Sequence, residues 1–379
     1  VGQNALFTNT TGSYNVAIGR SSLYTNNASH NTAIGYESLY FNSTGTQNTA
    51  VGAYALYTNT TADDNTAVGY QALKVSTAAH NTAVGHNVMA ATTTGGENTA
   101  VGANGLLVHT TGTRNTGLGY NTLKSLTTGS SNTAIGAYCG EALTTASNNC
   151  FVGYDSAPDV TTGTDNTTLG ANALHDCITA SGNTAIGAAS MRVSTDASNC
   201  VGVGLNSLRY TTTGASNTAV GKDALKENTT GAENTAVGME TLKANTTGTR
   251  NVAVGYQALL SATTGGSNQA VGQFALSALT TGGSNVAIGN SAGLAVTTGD
   301  NNSLIGNDAG RAASPSGNIT TGSNIICLGN NSVTDLYCAD TSISSSDSRD
   351  KTDVTNFTHG LNWINQLKPV TYRWDKRTW

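Results

Sequence analysis

Apolar and polar positions follow one beat along the chain. An aliphatic residue followed by glycine recurs at Val1-Gly2, Ile18-Gly19, Ile34-Gly35, Val51-Gly52, Val68-Gly69, Val84-Gly85 and Val101-Gly102, and continues to Ile305-Gly306. Two of the eighteen intervals are 16 residues and the others are 17. The full unit reads Asn-Thr-Ala-Val-Gly-x-x-Ala-Leu-x-x-x-Thr-Thr-Gly-x-x. Self-similarity at a fixed short period signals a stacked array, in which each unit buries its apolar face against the next. An all-β solenoid, a β-roll or β-helix with one coil per 17 residues, is therefore predicted. At roughly 4.8 Å per coil the array would span about 85 Å.

Each slot of the unit carries its own expectation. Side chains alternate along a strand, so the aliphatic slot (Val51, Val68, Val101) and the alanine before it (Ala50, Ala67, Ala100) point opposite ways. The bulkier aliphatic slot is expected to face a dry interior. The alanine face is expected to meet a neighbouring chain, where small side chains permit close approach. Four residues after each marker glycine runs a second apolar ladder, Leu23, Leu39, Leu56, Leu73, Met89 and Leu106, assigned to the core. Gly, Thr and Asn disfavour helix interiors, though the Ala-Leu segment is open between strand and a single helical turn. Asn48, Asn65 and Asn98 occupy one slot and should stack as an amide ladder, with Cys200 as a rare exception. Gly52, Gly69 and Gly102 should stack in line, and the Thr-Thr-Gly segments (Gly112, Gly129, Gly248) should turn the opposite corner with a positive-φ glycine.

Composition agrees with a fibre. There are 45 Gly and only 3 Pro, and 10% of residues are charged, for a net charge of −5. A charge repeated at one slot would repel its copies at about 5 Å; the slot before the asparagine avoids this by mixing Tyr14, His30, Gln47, Asp64, His80, Glu97 and Arg114. No basic stripe indicates nucleic acid, and no run of 18 apolar residues indicates a membrane span. The six cysteines (Cys139, Cys150, Cys177, Cys200, Cys327, Cys338) fall in different slots without a CxxC. They read as small buried side chains rather than disulfides or zinc ligands. His30 and His80 share a slot three coils apart, so no metal site and no cofactor is expected. Asp63 with Asp64, Asp155 with Asp159, and Asp223 with Glu227 could pair for glycan cleavage but read better as surface loops. Tyr36, Tyr70, Tyr120, Tyr154 and Tyr256 follow marker glycines; they read as scattered exposed tyrosines in preference to a sugar-stacking strip.

The beat ends after residue 306. Residues 307–341 form an enlarged loop and a terminal coil at Ile325-Ile326-Cys327-Leu328-Gly329, the last glycine 23 residues beyond its predecessor. A serine-rich joint opens the last segment, 342–379. Residues 330–379 hold 12 of the 39 charged residues and all three tryptophans (Trp363, Trp374, Trp379). Phe357, Leu361, Ile364 and Leu367 recur at helical spacing, Pro369 stops the helix, and Val370, Tyr372 and Trp374 alternate as a strand. One helix and one strand cannot bury a core, so this α+β piece is the start of a domain. The opening at Val1 falls in mid-repeat, so sequence is expected to precede it.

Ser346-Asp347-Ser348-Arg349-Asp350-Lys351, followed by Gly360-Leu361-Asn362-Trp363-Ile364 and Tyr372-Arg373-Trp374, resembles the opening of the intramolecular chaperone domain at the C-terminus of phage endosialidases and other tail spikes and fibres. The resemblance implies a domain that directs trimerisation of a β-rich fibre and then cuts itself off. It places the nucleophile at Ser346, the scissile bond at Ser345–Ser346, and the base or electrostatic partner at Lys351, with Asp347 and Arg349 completing the motif. A serine is activated when a base removes its proton, and a lysine can act so when burial lowers its pKa. The repeats resemble, more loosely, the left-handed β-rolls of trimeric adhesin heads. The resulting expectation is a homotrimeric phage tail fibre or spike shaft on the extracellular face of a virion tail, without a turnover enzyme. Its partners would be copies of itself, other tail proteins and a host-surface receptor such as a glycan. A cellular trimeric adhesin is the alternative; an ice-binding solenoid and a glycan-degrading spike are weaker ones.

Overall fold

A computed structural model describes residues 1–335. It contains nineteen strands of three residues, from β1 (Val16–Ile18) through β3 (Thr49–Val51), β4 (Thr66–Val68), β6 (Thr99–Val101), β9 (Cys150–Val152) and β18 (Ser303–Ile305) to β19 (Ile326–Leu328). Each pairs in parallel only with the strands before and after it. β3 meets β4 with Ala50 opposite Ala67 and Val51 opposite Val68. The final step spans the enlarged loop, pairing Leu304 with Cys327. This is a parallel β-solenoid of 17-residue coils, and among the described residues there is no helix. The Ala-Leu segment is neither strand nor helix but a hydrogen-bonded turn.

The two faces of the strand are the reverse of the sequence-based expectation. Ala50, Ala67 and Ala100 are fully buried within the coil, whereas Val101 is 38% exposed and Val51 and Val68 are half-buried. The Leu ladder explains why. Leu39, Leu56, Leu73 and Met89 are all fully buried and project from the turn toward the strand. A coil this narrow holds one large layer, leaving methyl-sized room on the strand side. Exceptions to the consensus show the same volume limit. Phe151 replaces the strand alanine and is fully buried, and the facing ladder position is Gly140, where a Cβ would lie 3.0 Å from the Phe151 ring. Leu304 likewise faces Gly293, where a Cβ would lie 2.7 Å from Leu304 Cδ1.

The ladder leucines have positive φ, +49° at Leu56 and +48° at Leu73. The left-handed region is steeply unfavourable for β-branched side chains, and the slot holds only Leu, Met, Ala and Gly throughout. Marker glycines Gly52, Gly69 and Gly102 take φ near +131°, +133° and +134°. They do stack: a Cβ on Gly52 would strike the Gly69 carbonyl carbon at 2.6 Å. The Thr-Thr-Gly corner differs from expectation. Gly112, Gly129 and Gly248 lie outside the left-handed region. Glycine is needed there for close approach, since a Cβ on Gly129 would sit 2.8 Å from Leu126 Cδ1.

The asparagine ladder is present and buried. Asn65 N–H donates to Asn48 Oδ1 at 3.0 Å, and Asn98 N–H to Asn81 Oδ1 at 3.0 Å. Asn98 Nδ2 also reaches the Gly112 carbonyl of the next coil, 3.0 Å away. Cys200 continues the series by donating its N–H to Asn183 Oδ1 at 2.9 Å. A second internal column, seven residues after the marker glycine, was not read from the sequence. Here Asn59 Nδ2 donates to Asn42 Oδ1 at 2.9 Å, and Asn245 Nδ2 to Asn228 Oδ1 at 2.8 Å. This column switches to Ser76 and Ala262 in the following coils, and Asn59 Oδ1 and Asn245 Oδ1 are left buried without partners.

Candidate functional site

Two surfaces of the coil array stand out chemically. The first is the outer strand face. Because alanine turns inward, the flanking residues turn outward, Thr49 and Val51 on β3, Thr99 and Val101 on β6. Repetition draws them into parallel rows. The aliphatic row exposes Ile18 (46%), Ile135 (39%), Leu169 (51%), Ile288 (44%) and Ile305 (44%) over nearly the whole array. Soluble monomers rarely expose contiguous apolar patches beyond a few hundred Å². Cys150, an exposed thiol, stands in the threonine row beside this stripe. Cys139, Cys177, Cys200 and Cys327 are free and buried, and burial pushes the Cys139 and Cys177 thiols up to about 12. Burial raises Cys200 as well, and these three are inert core side chains; at Cys327 burial also raises the thiol, but hydrogen bonding with Ser316, the Gly310 backbone and Ser314 brings it below its ordinary value.

The second surface is the turn side. Aromatic rings occupying one slot stack from coil to coil: Phe7 on Tyr24 at 5.1 Å, Tyr24 on Tyr40 at 4.9 Å, Tyr40 on Tyr57 at 5.4 Å. Their faces are taken up by one another. The tyrosines read from the sequence as scattered are also paired, edge to face: Tyr36 with Tyr54, Tyr120 with Tyr138, and Tyr256 with Phe274.

Most of the imagined acid pairs are dispersed into ordinary contacts. Asp63 caps the loop of the preceding coil by accepting from the Thr46 N–H at 2.6 Å. Asp223 accepts from Asn206 Nδ2 at 3.0 Å, and Glu227 faces Lys226 at 3.5 Å. His30 stacks on Tyr14, and His80 lies 3.8 Å from Asp64. Asp155 and Asp159 are different, because the coil stack brings both against His175 and Asp176 of the following coil. Asp155 Oδ2 is 3.2 Å from His175 Nε2, while Asp159 Oδ2 lies 4.0 Å from Nδ1 and Asp176 also contacts Nδ1. Partial burial, with the carboxylates of Asp176, Asp155 and Glu141 nearby, holds Asp159 above the usual carboxylate range, His175 acting against them. The sequence contained the signal: Asp159 and Asp176 are one repeat apart.

Ser345, Ser346, Asp347, Arg349 and Lys351 lie outside the described residues. Their context comes from comparison. Residues 346–378 match the family described as chaperone of endosialidase. No curated protein matches the chain. The matched segment opens at Ser346 and follows a β-solenoid in the same chain.

Proposed function

We propose that this chain is the shaft of a homotrimeric fibre of the phage tail-fibre or tail-spike type, assembled by its endosialidase-type chaperone segment and used in host attachment. The observation that supports it best is the outward aliphatic row. Apolar side chains repeated at coil spacing match the row of a parallel copy in register, which no surface lacking the repeat does. The valine and isoleucine row, rather than the alanine row expected from sequence, then lies against the neighbouring chains near the threefold axis. The exposed turn side is left to face outward toward a receptor, as befits a protein on the outer face of a virion tail.

The chaperone segment adds a processing step. Ser346 Oγ would attack the Ser345 carbonyl carbon while Lys351 takes the hydroxyl proton. The Ser345–Ser346 C–N bond breaks as that proton passes to the Ser346 amine, and water then hydrolyses the Ser345 ester, once, after folding. Removal of the folding aid makes assembly effectively irreversible.

The decisive experiment compares variants of a full-length chain carrying the complete chaperone. Wild type should have a trimer mass by light scattering and release a fragment beginning at Ser346. Ser346→Ala should stay trimeric and uncut, Lys351→Ala should be cut slowly or not at all, and Asp350→Ala should be cut normally. Val101→Asp should lose the trimer while its separate chain keeps its β circular dichroism. Ala100→Asp, which puts a carboxylate inside the coil at a cost of several kcal/mol, should lose the fold. A monomeric wild type, or normal cutting of Ser346→Ala, would refute the corresponding half of this reading.

A further inference from the structure

The turn-side cluster around His175 has the composition of a cation site. Among the described residues, Asp159, His175 and Asp176 offer three ligand atoms within 4.8 Å of one another. Asp155 sits on the opposite ring nitrogen at 3.2 Å. Carboxylates face both ring nitrogens, Asp155 at Nε2 and Asp176 within hydrogen-bond reach of Nδ1. With Nε2–H donated to Asp155, a cation that displaces the Nδ1 proton would meet an imidazole lone pair and two carboxylates together. A carboxylate on the far ring nitrogen is the usual means of orienting a metal-ligating imidazole and raising its basicity. Among the described residues, the ion pairs of Asp155, Asp159 and Asp176 are all with His175 and none is with Lys or Arg. The cluster is also a local departure from the repeat. In a chain with 10% charged residues, two successive coils place four ionisable groups in facing slots, where like charges would otherwise repel.

We propose that Asp159, His175 and Asp176 bind one divalent transition-metal cation per chain, with Asp155 as positioning residue. A mixed imidazole and carboxylate set suits Mn²⁺, Co²⁺ or Zn²⁺, whereas Ca²⁺ prefers all-oxygen sites. The ion would join Asp159 of one coil to His175 and Asp176 of the next, pinning two coils on the outward face of the shaft. It would stabilise that joint by mass action.

The test uses Mn²⁺ alone, added to the metal-stripped full-length protein, since Mn²⁺ has little preference for the chain's thiols. Loss of the free-ion electron paramagnetic resonance signal counts bound ions. Wild type should take up one equivalent per chain at submillimolar concentration. Asp159→Asn and His175→Gln should abolish this uptake. Asp155→Asn should retain one site weakened about tenfold, the loss typical of an outer-shell partner. His80→Gln, altering a surface histidine several coils from the cluster, should titrate as wild type. No uptake by wild type would show that a proton, not a metal, occupies the cluster and would overturn the proposal. Undiminished uptake by Asp159→Asn and His175→Gln would overturn it equally. All four side chains are at least partly exposed, so the variants should keep the fold, which circular dichroism checks independently.

Discussion

His109 is a buried histidine in the internal column seven residues after each marker glycine, between Thr92 and Leu126 of the adjoining coils. Its ring touches the Thr92 hydroxyl at 3.2 Å and Asn115 Nδ2 at 3.4 Å. Burial lowers its pKa to about 4, a Gly112 backbone contact acting weakly the other way. The folded chain therefore binds its proton later than the unfolded chain as pH falls. Stability is intact above the ordinary histidine value near 6.5 and declines as pH drops toward 4, by about 3 kcal/mol in all. Denaturant midpoints measured between those two pH values should fall in wild type. In His109→Leu, which copies Leu126 of the next coil, the same titration should be flatter. A second residue-scale prediction follows from the positive φ of Leu73. Leu73→Met should cost less than about 1.5 kcal/mol, whereas Leu73→Ile, equal in volume, should cost more because branching at Cβ conflicts with the left-handed backbone. Equal melting temperatures would show that the slot selects only for size.

A single coil must match one large layer to one small one, and exchange between them is a direct test. Phe151→Ala should open a cavity costing about 3–5 kcal/mol. Adding Gly140→Leu restores the consensus pair, and its φ of +61° is close to that of the ladder leucines. The double variant should recover most of the loss by chemical denaturation, and no recovery would refute this packing. The same pair shows why the sequence revealed the coil but inverted its face. Periodicity fixed the slots, and both strand faces are apolar, so hydrophobicity could not rank them. The useful signal was tolerance of volume. Val, Ile and Leu exchange freely in the outer slot, while the inner slot holds Gly, Ala, Thr or Cys and takes a large side chain only where a glycine appears opposite, as with Phe151 and Leu304. The Leu and Asn ladders were legible because each is chemically uniform. The Asp155, Asp159, His175 and Asp176 cluster was less so, since its members lie in three different slots that only stacking brings together.

At the scale of the whole molecule, the backbone bonds that link coils run along the solenoid axis, as in Thr66 N–H to Asn81 O at 2.9 Å and Gly69 N–H to Val51 O at 2.7 Å. Tension applied between the two ends therefore loads one inter-coil seam at a time instead of shearing many together. When a seam opens, about 17 residues extend to roughly 55–60 Å in place of about 5 Å of coil height. The shaft should act as a mechanical fuse, lengthening roughly tenfold coil by coil and dissipating work at each step before it parts. Single-molecule stretching of one chain should give a sawtooth with increments near 50 Å, and a single release of the whole array would contradict it. Neighbouring chains packed along the aliphatic row would raise the force of each step without changing its length, so a virion held by such a fibre would be tethered by an extensible line rather than a rigid rod.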